Sequence, residues 1–256
     1  MKIFDLTGKT AVITGSSKGI GRAIAEQMAL AGANVVISSR KEGPCQEVAA
    51  AIKRAGGKAV AIPANIGDKA QLRALVDKSH DAFGEIHVLV CNAAVNPYYG
   101  PLAEITDEAF DRIMASNIKS NLWLTTMVMP EMAKRRDGAM IIVSSIGGLR
   151  GSPKLGAYAI SKAADMQLAR NLAVEWGPHG IRVNAIAPGL VKTDFARALW
   201  ENPEVLAQTL KQSPLGRIGD PVDIAGVALL LAADAGKFIT GQTIVVDGGV
   251  TIAGRS

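Results

Sequence analysis

Thr10-Ala11-Val12-Ile13-Thr14-Gly15-Ser16-Ser17-Lys18-Gly19-Ile20-Gly21 reads as a strand that runs straight into a glycine-rich turn and then into a helix. Small and β-branched residues end at Gly15, and helical apolar spacing takes over from Ile20 to Ala31. Glycines here permit a tight bend and a close approach of backbone to a pyrophosphate, whose charge the helix N-terminus favours. A glycine turn on its own is a weak signal. Its place between strand and helix gives it meaning.

Outward from that turn, short β-rich runs alternate with helical stretches. Candidate strands cover residues 10–14, 34–38, 59–63, 87–91, 140–144, 182–187 and 243–246, and helices begin near Gly19, Pro44, Lys69, Thr106, Ala157 and Pro221. The alternation predicts an α/β fold of the doubly wound, Rossmann type, a parallel sheet with helices on both faces. Connections are short and no low-complexity linker interrupts them, so residues 1–256 are read as a single domain. The longest irregular stretch, about 189–219, contains a short helix around residues 203–211 and is read as a substrate-capping loop.

Composition narrows the function. Apolar residues make up 48% of the chain and aromatics only 4%, which suits the large aliphatic core of a parallel sheet. No apolar run is long enough to span a bilayer, and the N-terminus lacks the apolar core of a signal peptide. The net charge of +5 is scattered. Its one tight cluster, Lys134-Arg135-Arg136, reads as the last turn of a helix, so no nucleic-acid partner is expected. Cys45 and Cys91 lack metal or redox spacing, and the three histidines form no cluster, so no metal is expected.

The chemistry-bearing residues lie further along. Tyr158 and Lys162 are four apart in a helical run and so share one helix face. A phenol is a poor acid at neutral pH, and a nearby ammonium favours the phenolate and makes it a usable proton donor or acceptor. Ser145 closes the apolar run Met140-Ile141-Ile142-Val143-Ser144, where its hydroxyl can meet a substrate carbonyl. Beside a dinucleotide turn, these residues describe hydride transfer. Gly15-Ser16-Ser17-Lys18-Gly19 also fits the G-x-S-x-G elbow of hydrolases, but only one strand precedes it here.

After the second strand, Arg40 stands where an acidic residue would bind the ribose hydroxyls of NAD, and Lys18 sits in the glycine turn. Two cations suit a 2′-phosphate, and together they are expected to favour NADPH over NADH by about a hundredfold or more.

On these residues, with Asn92-Ala93-Ala94, Asn117 and Pro188-Gly189 followed by Thr193, the chain resembles the short-chain dehydrogenase/reductase family over essentially its whole length. Two stretches are similar to an NADPH-dependent carbonyl reductase/retinol dehydrogenase branch of animal peroxisomes: Asn92-Ala93-Ala94-Val95-Asn96-Pro97-Tyr98-Tyr99-Gly100, and Ala187-Pro188-Gly189-Leu190-Val191-Lys192-Thr193 with Phe195, Leu199 and Trp200 beyond it. The resemblance implies a seven-stranded sheet in the order 3-2-1-4-5-6-7. It implies Tyr158 as acid/base, Lys162 as the group that tunes it and binds the nicotinamide ribose, Ser145 as orienter of the carbonyl, and Asn117 as holder of a water relaying protons to Lys162. Gly15, Ser17, Lys18, Gly19, Ile20, Gly21, Arg40, Asn65, Ile66, Asn92, Pro188, Gly189, Val191 and Thr193 join Tyr158 and Lys162 around NADP. The substrate, a largely apolar ketone, aldehyde or secondary alcohol, is expected to meet Ser145, Tyr158, Asn96, Tyr98, Phe195, Leu199 and Trp200.

The family's usual asparagine-asparagine-alanine-glycine is Cys91-Asn92-Ala93-Ala94 here, and its usual aspartate after the third strand is Asn65. The chain ends Ala253-Gly254-Arg255-Ser256 rather than in a peroxisomal tripeptide, so the expected location is the cytoplasm. The resemblance further implies a homotetramer built through the helices around residues 107–133 and 157–176 and the C-terminal helix and strand. The alternative is a 3-oxoacyl-carrier-protein reductase, with Lys134-Arg135-Arg136 as the docking site for the acidic carrier. A dinucleotide sensor without catalysis is the third reading, and the intact Tyr158, Lys162, Ser145 and Asn117 oppose it.

Overall fold

The computed structural model describes residues 2–253. The terminal Gly254-Arg255-Ser256, on which the expected location turns, lies outside the described residues. Seven strands form an all-parallel sheet in the order β3-β2-β1-β4-β5-β6-β7, as expected. They are β1 (Thr10–Thr14), β2 (Asn34–Ser38), β3 (Lys58–Ala61), β4 (Val88–Cys91), β5 (Gly138–Val143), β6 (Ile181–Pro188) and β7 (Thr243–Val246). Nine α-helices connect and cover them among the described residues: α1 (Gly19–Leu30), α2 (Glu42–Arg54), α3 (Lys69–Phe83), α4 (Asp107–Met114), α5 (Ser120–Arg135), α6 (Gly156–Trp176), α7 (Arg197–Trp200), α8 (Pro203–Gln212) and α9 (Pro221–Ala232).

Alternation along each strand divides the core. Ala11 and Ile13 of β1 point into a layer with Ile24 and Met28 of α1, Val48 and Ile52 of α2, and Ile224 and Leu231 of α9. Val12, between them, points the other way, toward Leu72 and Leu75 of α3, Leu124 and Val128 of α5, and Met166 and Leu172 of α6. Both faces are dry, and for that reason the central strands are apolar runs rather than alternating ones.

Boundaries differ from the sequence reading in instructive ways. β3 stops at Ala61 instead of residue 63 because Pro63 has no N–H, although Ile62 and Ala64 still donate to the carbonyls of Ile37 (2.9 Å) and Ser39 (3.0 Å). The expected helix over residues 107–133 is broken between α4 and α5 by a π-helical turn, Ala115–Lys119, which carries Asn117. Single π turns within longer helices recur at functional sites, because the extra residue re-aims a side chain. The Lys134-Arg135-Arg136 cluster is a helix end, as read: Arg136 takes the left-handed conformation after α5 and donates to the Pro178 carbonyl (2.9 Å), while Arg135 donates to that of Ile86.

β1 pairs with both β2 and β4, so the chain's winding reverses there. The crevice outside the carboxyl ends of these strands is where ligands of open α/β sheets bind. The glycine turn, Asn92, Ser145 and Gly189 all follow strand ends on that side.

Candidate active site

The glycine turn is held by the strands beside it. Gly15 and Gly19 have φ of +67° and +57°, which a side chain would oppose. Gly21 is needed for closeness: a Cβ there would come within 2.5 Å of both Asn92 Nδ2 and the Gly15 carbonyl. Asn92 clamps the turn by donating to the carbonyls of Thr14 (2.9 Å) and Gly15 (3.2 Å). Ser16, missed in the sequence reading, is fully buried and ties the turn to β2, donating to the Ile13 carbonyl (2.7 Å) and accepting from the Ser38 amide (2.9 Å). Lys18, at the head of α1, offers no side-chain cap to the helix amides. An uncapped helix N-terminus behind a glycine cradle fits an anionic pyrophosphate.

Past the end of β2, Arg40 is exposed, as is Asn65 past β3. Asn65 Oδ1 accepts from the Gly67 amide (3.2 Å) and keeps one lone pair for a ligand. Ile66, beside it, is half-buried. Lys18 bridges to Asp194 (3.2 Å) and so links the glycine turn to the segment after β6.

Ser145, Tyr158 and Lys162 come together. Ser145 heads a short 3-10 turn, Ile146–Leu149, two residues beyond the end of β5, and its hydroxyl accepts from the Gly147 amide (3.1 Å). Gly148 of this turn lies against α6, where a Cβ would sit 2.6 Å from the Ala163 nitrogen, so the turn and α6 are fixed to one another. Tyr158 is half-buried on α6, and the Lys162 ammonium lies 5.7 Å from its ring centroid. Burial pushes the Tyr158 phenol above the usual tyrosine range; Lys162 pulls it down, Asp165 pushes it up, and the Ser145 hydroxyl pulls it down.

Lys162 is buried, with its ammonium donating to the Val143 carbonyl (2.9 Å) and to Asp165 Oδ2 (2.9 Å). Burial works against its charge, but Asp165 and then Tyr158 more than offset it, so the ammonium is held above the usual lysine range. Asp165 is itself buried, and Asn121 Nδ2 donates to its other oxygen (2.9 Å). The same Asn121 amide donates to the main-chain carbonyl of Asn117 (2.6 Å). The Asn117 side chain donates to the Val95 carbonyl (3.0 Å) and Ser161 Oγ (3.0 Å) and accepts from the Val95 amide (2.8 Å). Asn117 and Lys162 are therefore joined through Asn121 and Asp165. The sequence reading missed both. Their signal was positional: each is a polar residue one turn beyond a site residue, Asn117 or Lys162.

The segment after β6 folds over this end. Pro188 closes β6, Gly189 packs where a Cβ would be 2.8 Å from Asp247 Cα, and Val191 is buried, with its neighbours Leu190 and Lys192 paired to Gly219. Thr193 lies against the glycine turn: a Cβ on Gly19 would be 3.2 Å from its methyl. Trp200 Nε1 donates back to the Thr193 carbonyl (2.8 Å), and the Phe195 ring stands 6.1 Å from that of Tyr158, centroid to centroid. Leu199 is half-buried beside Trp200. On the β4 loop, Tyr98 donates to the Pro101 carbonyl (2.8 Å), and Asn96 Oδ1 is buried with no hydrogen-bond partner among the described residues. A concavity at the amino ends of the strands is lined by Lys9, His87, Asp137, Arg182 and Lys237, of which Lys9 pairs with Asp137 and Arg182 bonds the last carbonyls of α9. No helix among the described residues is long and apolar enough to cross a membrane.

The family described as enoyl-(acyl carrier protein) reductase matches residues 15–251. Dehydrogenase/reductase SDR family member 4 from Sus scrofa and from Homo sapiens are each 40% identical over 247 residues, covering 95% of this chain and 88% of theirs. A gluconate 5-dehydrogenase from Burkholderia cenocepacia J2315, in complex with NADP and tartrate, superposes with a TM-score of 0.94 at 32% identity and 99% coverage of each chain. A 7α-hydroxysteroid dehydrogenase complexed with NADH and 7-oxo glycochenodeoxycholic acid has a TM-score of 0.94 at 35% identity, covering 97% of this chain and 96% of its own.

Proposed function

The chain belongs to the short-chain dehydrogenase/reductase family, whose members bind a nicotinamide cofactor and act on CH–OH and C=O groups, and we propose that it is an NADPH-dependent reductase of largely apolar ketones or aldehydes. One observation carries this reading. Phe195, from the segment after β6, faces Tyr158 at 6.1 Å, which sets an apolar wall against the proton donor. Leu199 and Trp200, half-buried in the same segment, would extend that wall, and Asn96 Oδ1, buried without a partner among the described residues, would be free to accept from a donor on the ligand.

When bound, the nicotinamide supplies the hydride that reaches the carbonyl carbon. The chain's own residues do the rest. Ser145 donates a hydrogen bond to the carbonyl oxygen, which favours the developing alkoxide. Tyr158 delivers the proton to that oxygen, becomes phenolate, and is reprotonated from solvent. Lys162 stabilises the phenolate by its charge. Gly15, Ser17, Gly19, Ile20 and Gly21 hold the pyrophosphate, Arg40 and Lys18 the 2′-phosphate, Asn65 and Ile66 the adenine, and Pro188, Gly189, Val191 and Thr193 the carboxamide end. NADP in complex with the gluconate 5-dehydrogenase supports the dinucleotide reading, and the cations Arg40 and Lys18 support the phosphorylated form.

The carrier-protein alternative depends on Lys134-Arg135-Arg136, and Arg135 and Arg136 are already bonded to the carbonyls of Ile86 and Pro178. That favours a free substrate. Turnover of an aromatic ketone compared with a carrier-bound 3-oxoacyl thioester separates the two, and a large preference for the thioester overturns the reading. We further propose a homotetramer. Leu122 and Val174 on α5 and α6 and Phe238 near β7 are exposed, and β7 is a half-exposed edge strand. Such apolar surface suits closed symmetric contacts. A monomer mass by light scattering at micromolar concentration would rule this out.

A further inference from the structure

Asp165 has no place in the roles assigned above, yet it is the group most tightly tied to Lys162. It is fully buried on α6, three residues after the lysine, and Lys162 Nζ and Asn121 Nδ2 donate to its two oxygens at 2.9 Å each. Both oxygens thus accept from nitrogen donors, an arrangement made for a carboxylate and not for a protonated acid. Removing one partner of such a pair leaves the other buried and unpaired, so neither side chain is free to move. Lys162 has three donors, two of which are spent on Asp165 and the Val143 carbonyl. The third remains for a ligand.

The charge matters as much as the geometry. A lone buried ammonium beside Tyr158 would draw the phenol strongly toward phenolate. Here a carboxylate of opposite sign pairs with that ammonium. Resting on the reductase reading, we infer that Asp165 is a positioning residue: with Asn121 it locks Lys162 and counters its charge, so that Tyr158 remains a proton donor for carbonyl reduction over a wider pH range than it serves alcohol oxidation. The titratable groups acting on this cluster are Tyr158, Lys162, Asp165 and the Cys91 thiol at the end of β4. Burial pushes the Cys91 thiol far up, so it stays neutral. Ser145, Asn121 and the Val143 carbonyl add dipoles but no charge. Burial also pushes the Asp165 carboxyl up, while Lys162 and Asn121 pull it back.

The sign follows. Tyr158 and Lys162 titrate as a coupled pair, so taking a negative charge from beside them makes the first proton leave at lower pH, whichever residue loses it. Reduction needs the protonated phenol and oxidation the phenolate. Asp165→Asn keeps the shape and removes the charge. The limb of the kcat/KM–pH profile on which reduction fails, and the limb on which oxidation appears, are both expected to move toward acid by about one pH unit or more. Limbs that coincide with the parent's in a folded variant overturn the inference. If no carbonyl compound is turned over, ultraviolet titration of the full-length parent and of Asp165→Asn, each against the same protein carrying Tyr158→Phe, answers instead, and Asp165→Ser takes the place of Asp165→Asn if that variant does not fold. With only three tyrosines in the chain, the difference isolates one phenol. Phenolate appearing at lower pH in the charge-removed variant than in the parent supports the inference, and phenolate appearing at the same pH in both overturns it. Because this second measurement needs no substrate, failure of the reductase reading and failure of the Asp165 inference are told apart.

Discussion

Lys162 and Lys18 each hold an aspartate near 3 Å, one pair in the interior and the other at the surface. The first pair, with Asp165, is 2.9 Å long and its side chains are 2% and 0% exposed; the second, with Asp194, is 3.2 Å long and they are 66% and 49% exposed. The chemistry of the partners is the same, and the surroundings decide what it is worth. In a low-dielectric interior a charge acts strongly on its neighbours over several ångströms, whereas in water a pair at similar distance is screened and weak. The buried pair therefore acts on the protonation of Tyr158, Lys162 lowering and Asp165 raising the pKa of a phenol that burial already pushes up. The open pair ties the glycine turn to the covering segment only loosely, and under the proposed function its lysine would select among ligands that arrive with their own charge.

If that contrast holds, the largest effect comes from the interior. Tyr158→Phe keeps the ring and removes the proton donor, and turnover is expected to fall by about 10²–10⁴ while NADPH binding persists. Activity within tenfold of the parent would break the assignment. Next is the surface. Arg40→Asp is expected to reverse a preference for NADPH of about a hundredfold, by repelling the 2′-phosphate and accepting from ribose hydroxyls. Equal specificity constants for the two cofactors in the parent would show that the exposed cations select nothing.

Smaller effects sharpen the comparison. Trp200→Ala loosens the covering segment, where the indole donates to Thr193. Apolar ketones should lose about tenfold in kcat/KM and small polar ones less. Equal losses on both, in a variant of normal melting temperature, remove this segment from the specificity argument. Last, Asp194→Asn frees Lys18 for the cofactor. A fall of about twofold to threefold in the NADPH KM is expected at low salt, shrinking as salt screens the exposed charges. A change that survives high salt contradicts the view that this pair is solvated.

What was legible in the sequence followed from local rules. The glycine turn could be read because Gly15 and Gly19 answer to backbone sterics, and Tyr158 and Lys162 because a spacing of four is just over one helix turn. Strand positions were readable wherever both faces are buried, since such strands need apolar residues at every position. Their ends were less so: β3 stops early at a proline, and β5 begins two residues sooner, at Gly138, than the apolar run suggests. The π turn at Ala115–Lys119 left no mark in composition, because no residue type is reserved for a single turn of this kind inside a longer helix.

The sequence by itself determined the alternation of strands and helices, the glycine turn between the first of them and the spacing of Tyr158 and Lys162, all of which depend on neighbours along the chain. Only the tertiary structure decided what surrounds them. Asn121 meets Asp165 across 44 positions; Phe195 meets Tyr158 through the fold of the segment after β6; Lys18 reaches Asp194 across 176. The strength of a charge depends on how much water and which partners lie around it, and those are fixed by packing between elements that no local pattern specifies.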